Sequence, residues 1–281
     1  MAEFFDIYNK DLWREPSYRL MDKFSLKGKK AFITGGAGGI GRNVAAAWAE
    51  AGADIALVGT PGSQGRLEPL VQTLASRYPV QITALYCDVS DEVQVAKLKD
   101  DLLHQMGTID LALINAGVCL PHDDLDVTPQ TWRRTMDVDL TGTYLTSQVA
   151  YEIMREHKHG GSILMVSSIS GHFAKYVAGG PAPNAAYGAA KAGMLQYARY
   201  LAAALAPYDI RVNTLPPSNV WSGIHEGVMT KGVHDALLEL VPMKRFGTND
   251  EVQGAALFLA SAASSYITGA DLLLDGGYSV Y

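Results

Sequence analysis

From residue 29 onward, short apolar runs alternate with longer stretches in which apolar positions recur every three or four residues. KAFIT, ADIALV, QITALY, IDLALIN, SILMVSS, IRVNTL and DLLLDG read as strands. Amphipathic segments from Ile40, near Arg66, from Asp91, near Pro129, through Tyr187, near 223–240 and from Asn249 read as helices. Uninterrupted apolar strands such as LALI and ILMV fit a sheet covered on both faces, and regular alternation with helices fits parallel strands. The pattern predicts a doubly wound α/β fold, a parallel sheet of about seven strands with helices on both faces, as a single domain over 26–281. Residues 1–25 fall outside the pattern and read as an appended arm, whose Phe4, Phe5, Tyr8, Trp13 and Tyr18 need cover from the domain or a neighbouring subunit.

Composition narrows the function more than the fold. At 281 residues and 48% hydrophobic, the chain can bury a sizeable core. Its 23 basic and 29 acidic residues leave a net charge of −6 with no basic cluster, which argues against nucleic acid and for a small-molecule partner. The two cysteines, Cys87 and Cys119, do not make a disulfide framework, and the seven histidines lack ligand spacing, so no metal is expected. No stretch has the length of a signal peptide or a membrane span, so a cytoplasmic protein is expected.

Two motifs carry chemistry. The first, FITGGAGGIGR, sets glycines at 35, 36, 38, 39 and 41 between the first strand and its helix, where bare backbone N–H groups and a helix N-terminus can approach a pyrophosphate. The second, NAAYGAAKAG, places Tyr187 and Lys191 four residues apart on one helix face, so that an ammonium can stand beside a phenol. A cation there favours the phenolate and is expected to lower the phenol pKa, fitting Tyr187 to exchange a proton.

Gly35, Gly39 and Gly41 spell TGxxxGxG, and with CDV at 87–89, NAG at 115–117, YxxxK at 187–191 and the late DGGY the chain resembles the short-chain dehydrogenase/reductase family from about Lys29 to the C-terminus. The resemblance implies a Rossmann-like domain holding a nicotinamide dinucleotide. Its cofactor contacts carry over to Gly35, Gly39, Ile40, Gly41, Gly59, Thr60, Asp88, Val89, Asn115, Ala116, Gly117, Tyr187, Lys191, Pro217, Val220 and Ser222. Gly59, eighteen residues after Gly41, stands where an NAD-specific member has a carboxylate. Thr60 and Ser63 leave room and donors for a 2′-phosphate there, and Arg42 or Arg66 offers charge. NADP(H) is therefore favoured, and NAD(H) stays open.

By the same resemblance Tyr187 is the acid/base, Lys191 tunes it, and Ser168 of the Ser-x-x-Gly pattern binds the reacting oxygen, with Ser167 and Ser170 as alternatives. Asp139 replaces the family's asparagine in MDVDLTG, and Ser218 replaces a glycine after Pro217. A carboxylate at 139 can serve a proton relay if it pairs with Lys191 or is protonated; it can also impair catalysis. Asp137 reads as a solvated helix residue.

Nineteen positions separate Ser168 from Tyr187, against about a dozen in the family, and the excess forms a Gly/Pro-rich loop bordering the site. A variable lid spans about 218–245. Ser168, Ser170, His172, Asn184, Trp221 and His225 are the expected substrate contacts, with Glu226 and His234 also in the lid, and these polar groups suit a polyol or ketose. The expected function is interconversion of a secondary alcohol and a ketone, as in sugar-alcohol dehydrogenases and ketose reductases of the family. The alternatives are a 3-oxoacyl thioester or other carbonyl reductase, and a catalytically impaired NADP-binding protein. The family also implies a homotetramer built on the helices of residues 127–154 and of Tyr187, with Trp132 and Tyr144 at the interface.

Overall fold

The computed structural model describes residues 19–120, 123, 126–174, 184–221 and 231–280. Six parallel strands, β1 (Lys30–Thr34), β2 (Asp54–Gly59), β3 (Ile82–Tyr86), β4 (Leu111–Ile114), β5 (Gly161–Val166) and β6 (Ile210–Leu215), lie in the order β3-β2-β1-β4-β5-β6. Strand order reverses between β1 and β4, and in open α/β sheets ligands collect at the carboxyl ends of the strands at such a point.

The period of two along each strand divides the core. Ala31, Ile33, Ile55 and Leu57 face one side, under helices α1 (Gly39–Glu50) and α2 (Gln64–Arg77). Phe32, Ala56 and Val58 face the other, under α3 (Glu92–Met106). The chain continues through α4 (Pro129–Met136), α5 (Gly142–His157), α6 (Ala185–Leu205), α7 (Lys231–Glu239) and α8 (Asn249–Ala260). Helices α5 and α6 join the Phe32 side through Ile153 and Met194, and α8 joins the Ile33 side through Val252 and Leu259. Local chemistry sets several helix ends: Asp91 accepts the Val93 and Gln94 amides at the start of α3, and Thr248 with Glu251 forms a capping box on α8.

Two elements differ from the sequence expectation. The seventh strand, DLLLDG, forms no continuous ladder and meets the chain at isolated bridges, Thr214↔Asp271 in β6 and Pro217↔Leu274 just beyond it. Pro216 and Pro217 have no N–H to give, so a continuous ladder cannot form beside them. The helix expected to run unbroken from Pro129 is interrupted by a π-helical turn at Asp137–Thr141, closed by the Gly142 N–H on the Asp137 carbonyl. Such turns insert one extra residue and re-aim the side chains they carry. Of the helical segment expected near 223–240, the described part is α7.

Candidate active site

The turn after β1 is made by removing side chains. Gly35 sits at φ +64, and a Cβ on Gly41 would lie 2.4 Å from the Gly35 carbonyl oxygen, so this helix start fits against the turn only as glycine. Asn115 at the end of β4 donates through Nδ2 to the carbonyls of Thr34 (3.1 Å) and Gly35 (3.2 Å), while the Asn115 and Ala116 amides donate to the Thr34 hydroxyl. Asn115 thus braces the turn across the switch point. No side chain caps α1, whose first turn, with Gly39, Ile40 and Gly41, holds no acidic residue. This cradle fits a dinucleotide pyrophosphate: the helix dipole and uncapped N–H groups favour an anion there, and the glycines let it come close.

Along the strand ends toward β3, Gly59 is buried and Thr60 is exposed, with no carboxylate at the end of β2. The hydroxyl of Ser63 donates to the Thr60 carbonyl at 2.7 Å, which spends the donor expected for a phosphate. Arg42 and Arg66 are exposed. At the end of β3, Asp88 accepts from the Ser90 hydroxyl (2.6 Å) and pairs with Arg134 of α4 (3.2 Å). Burial pushes the Asp88 carboxyl up, but Ser90 and Arg134 outweigh it and hold it below the usual range. Val89 is buried against Gly142. On the far side, Pro217 accepts from the Ile169 amide and Val220 bridges Gly247.

The candidate reacting groups converge from three separate elements. Tyr187 and Lys191 lie on α6, with the Lys191 Nζ 5.4 Å from the centre of the Tyr187 ring. Ser168, just past β5, stands near enough to the Tyr187 hydroxyl to favour its ionised form, and accepts from the Ser170 amide at 3.1 Å. Ser167 instead donates to the Lys191 carbonyl at 3.2 Å, which pins the serine turn to the helix and separates it from Ser168 in role. Asp139 comes from the π-helical turn. It is fully buried, with Oδ1 3.2 Å from the Lys191 Nζ and Oδ2 accepting the Val118 amide at 3.1 Å. The Lys191 Nζ also donates to the Val166 carbonyl at 3.3 Å. Gly117 closes over this ion pair, and a Cβ there would sit 2.4 Å from the Asp139 oxygen.

The electrostatics depart from the sequence expectation. The Tyr187 pKa is raised, not lowered: burial pushes the phenol up, Lys191 and Ser168 pull it down, and the Asp139 charge adds to the upward push. Burial alone pulls the Lys191 ammonium down, but Asp139 and Tyr187 outweigh it and hold the amine protonated. Burial pushes the Asp139 carboxyl above the carboxylate range, with Lys191 opposing. The substitution at 139 therefore offsets part of the cation's hold on the phenol, since the ammonium faces a carboxylate as well.

The expected substrate contacts are less concentrated. Ser170 lies in the serine turn. His172 pairs with Asp271 at 3.5 Å, next to Arg199 and Thr214, on the β6 side. Asn184 donates to the Cys119 thiol at 3.3 Å. Trp221 is 54% exposed, stacks on His234 at 5.8 Å and meets Phe246 tilted at 5.1 Å, so His234 is held in an aromatic cluster. Ser222, His225 and Glu226 lie outside the described residues. Sequence reasoning missed Arg134 as the partner of Asp88 and Asp123 as the acceptor for the Ala186 and Tyr187 amides. Neither belongs to a motif, and both contacts join residues more than forty positions apart in sequence.

Known proteins match along nearly the whole chain. A family model described as enoyl-(acyl carrier protein) reductase matches residues 35–279. An NADP-dependent mannitol dehydrogenase of Alternaria alternata is 36% identical over 263 residues, 93% of this chain and 96% of that protein. A sorbose reductase of Candida albicans is 35% identical, covering 92% and 90%. The crystal structure of a short-chain type dehydrogenase/reductase from Mycobacterium marinum superposes with a TM-score of 0.87 at 34% identity, covering 94% of this chain and all of that one. A glycine cradle for a dinucleotide, a phenol within reach of serine and lysine, and these likenesses lead to one conclusion: the chain belongs to the short-chain dehydrogenase/reductase family, an NAD(P)-dependent oxidoreductase of alcohols and ketones.

Proposed function

We propose that the enzyme interconverts a ketose and its polyol with NADP(H) as the preferred carrier. The observation that carries this reading is the Ser168–Tyr187–Lys191 cluster beside the glycine turn. When bound, the nicotinamide supplies or accepts the hydride. Ser168 holds the reacting oxygen, and Tyr187 gives that oxygen a proton in reduction and takes one back in oxidation. Lys191 holds the phenol's charge and the ribose, and Asp139, paired with Lys191, serves as the relay carboxylate.

Gly59 in place of a ribose-binding carboxylate, with Arg42 and Arg66 exposed, supports NADP(H), as does the name of the NADP-dependent mannitol dehydrogenase of Alternaria alternata. The cofactor contacts are proposed as read from the sequence, Ser222 included, and the substrate contacts likewise. The proposal extends to a cytoplasmic homotetramer with a catalytic domain over 26–281 and the arm at 1–25. Trp132 and Tyr144, 39% and 44% exposed, support packing between subunits, and no helix among the described residues is long and apolar enough to cross a membrane.

The test is loss of reduced-nicotinamide absorbance with NADPH or NADH against a panel of ketoses, sorbose and fructose included. NADPH turnover with a ketose is expected, and Tyr187→Phe is expected to cut it by about a thousandfold with NADPH binding kept. The family model's description, which names a thioester-held acyl chain, favours one second reading, reduction of a 3-oxoacyl thioester at its ketone. It prevails if thioesters turn over and ketoses do not.

A further inference from the structure

Helix α6 lacks a cap of its own. Asn184, at the N-cap position, makes no side-chain bond to the first turn, and its amide is spent on the Cys119 thiol at 3.3 Å. The cap comes from elsewhere in the chain. Asp123, 3% exposed, accepts the Ala186 amide on Oδ1 at 2.7 Å and the Tyr187 amide on Oδ2 at 2.9 Å. Those are the second and third amides of the helix, the ones an N-cap side chain ordinarily satisfies. A carboxylate there also complements the positive end of the helix dipole. The stretch after β4 that bears Asp123 is anchored at its start as well, since the Val118 amide donates to Asp139. One segment thus touches the relay carboxylate at one end and the backbone of the acid/base tyrosine at the other.

We propose that Asp123 is a positioning residue for Tyr187: it fixes the height and rotation of the first turn of α6, so that the phenol meets Ser168 and the substrate oxygen together. The proposal rests on Tyr187 being the proton carrier. Its leverage is geometric, because a misplacement of about 1 Å at a reacting group can cost on the order of a hundredfold in rate. A carboxylate has two oxygens for two amides; alanine has none, and asparagine keeps one and remains a good cap.

Asp123→Ala and Asp123→Asn are compared with the wild type by steady-state kinetics, NADPH titration and amide hydrogen exchange of the ligand-free protein. In Asp123→Ala the expected result is a fall in kcat of about ten- to a hundredfold. KM for the ketose and Kd for NADPH stay within about twofold, with exchange at Ala186 and Tyr187 at least about tenfold faster than in the wild type and unchanged at Met194–Leu201. Asp123→Asn is expected to recover most of kcat. An Asp123→Ala protein with wild-type exchange at Ala186 and Tyr187 overturns the proposal, as does one that loses NADPH binding and protection along the whole of α6 in step with kcat. Exchange is read without substrate, so an absence of ketose turnover in the wild type counts against the functional reading, whereas unchanged exchange counts against this one.

Discussion

The turn after β1 and the cluster around Tyr187 share the carboxyl edge of one sheet, yet they are built by opposite means. The turn is shaped by missing atoms: Gly35 takes a left-handed φ, Gly41 lets α1 approach the Gly35 carbonyl, and no side chain caps the first amides of α1. The cluster works because charged atoms are packed together out of water: Asp139 and Lys191 are almost wholly buried and face each other at 3.2 Å. The first kind of site fails when something is added. The second fails when something is taken away or its charge is changed.

That contrast can be broken at three points. The largest effect is expected for Lys191→Ala, which leaves Asp139 buried without its cation. Stranding one member of such a pair costs about 3–5 kcal/mol. Turnover is expected to fall by about a thousandfold, with a lowered Tm in thermal unfolding. A fully folded, active Lys191→Ala enzyme would refute the ion-pair account.

Next comes Gly41→Ala. The added methyl meets backbone rather than a flexible side chain, so the turn must open. NADPH binding by fluorescence titration is expected to weaken by about a hundredfold, or ~2.7 kcal/mol, while the Asp139–Lys191 pair persists. Wild-type affinity would mean that the cradle tolerates a side chain.

The smallest effect is the most diagnostic. Alcohol oxidation needs the phenolate, so it is present above the Tyr187 pKa and lost as pH falls through it; ketone reduction needs the phenol and is lost as pH rises. The Asp139 charge adds to the upward shift of Tyr187. Asp139→Asn is therefore expected to move both edges of the pH–rate profiles to lower pH. Edges that stay in place would show that Asp139 exerts no hold on the phenol.

The same division runs through what could be read from the chain alone. Six strands, the glycine turn and the Tyr187–Lys191 spacing follow from neighbours a few positions apart, and the structure places each near its expected position. The resemblance picks Ser168 with Ser167 and Ser170 as alternatives, and the packed turn sets Ser167 apart, because its hydroxyl bonds the Lys191 carbonyl while Ser168 stands at Tyr187. The π-helical turn that aims Asp139 has no local signature in TMDVDLTG. The Ser63 hydroxyl, read as a phosphate donor, is spent on its own turn.

By itself the sequence determined the alternation of elements, the glycine turn and the pairing of phenol with ammonium, since each depends on backbone geometry and residue spacing within a turn or two. Only the tertiary structure decided the electrical sign of the site and the support of its helix. Whether a phenol is pushed up or down depends on how much water is excluded around it and which distant charges are brought in. Asp139 and Asp123 reach α6 from segments about fifty and sixty residues upstream. Desolvation and long-range pairing have no representation in a local pattern, because they exist only once the chain has closed on itself.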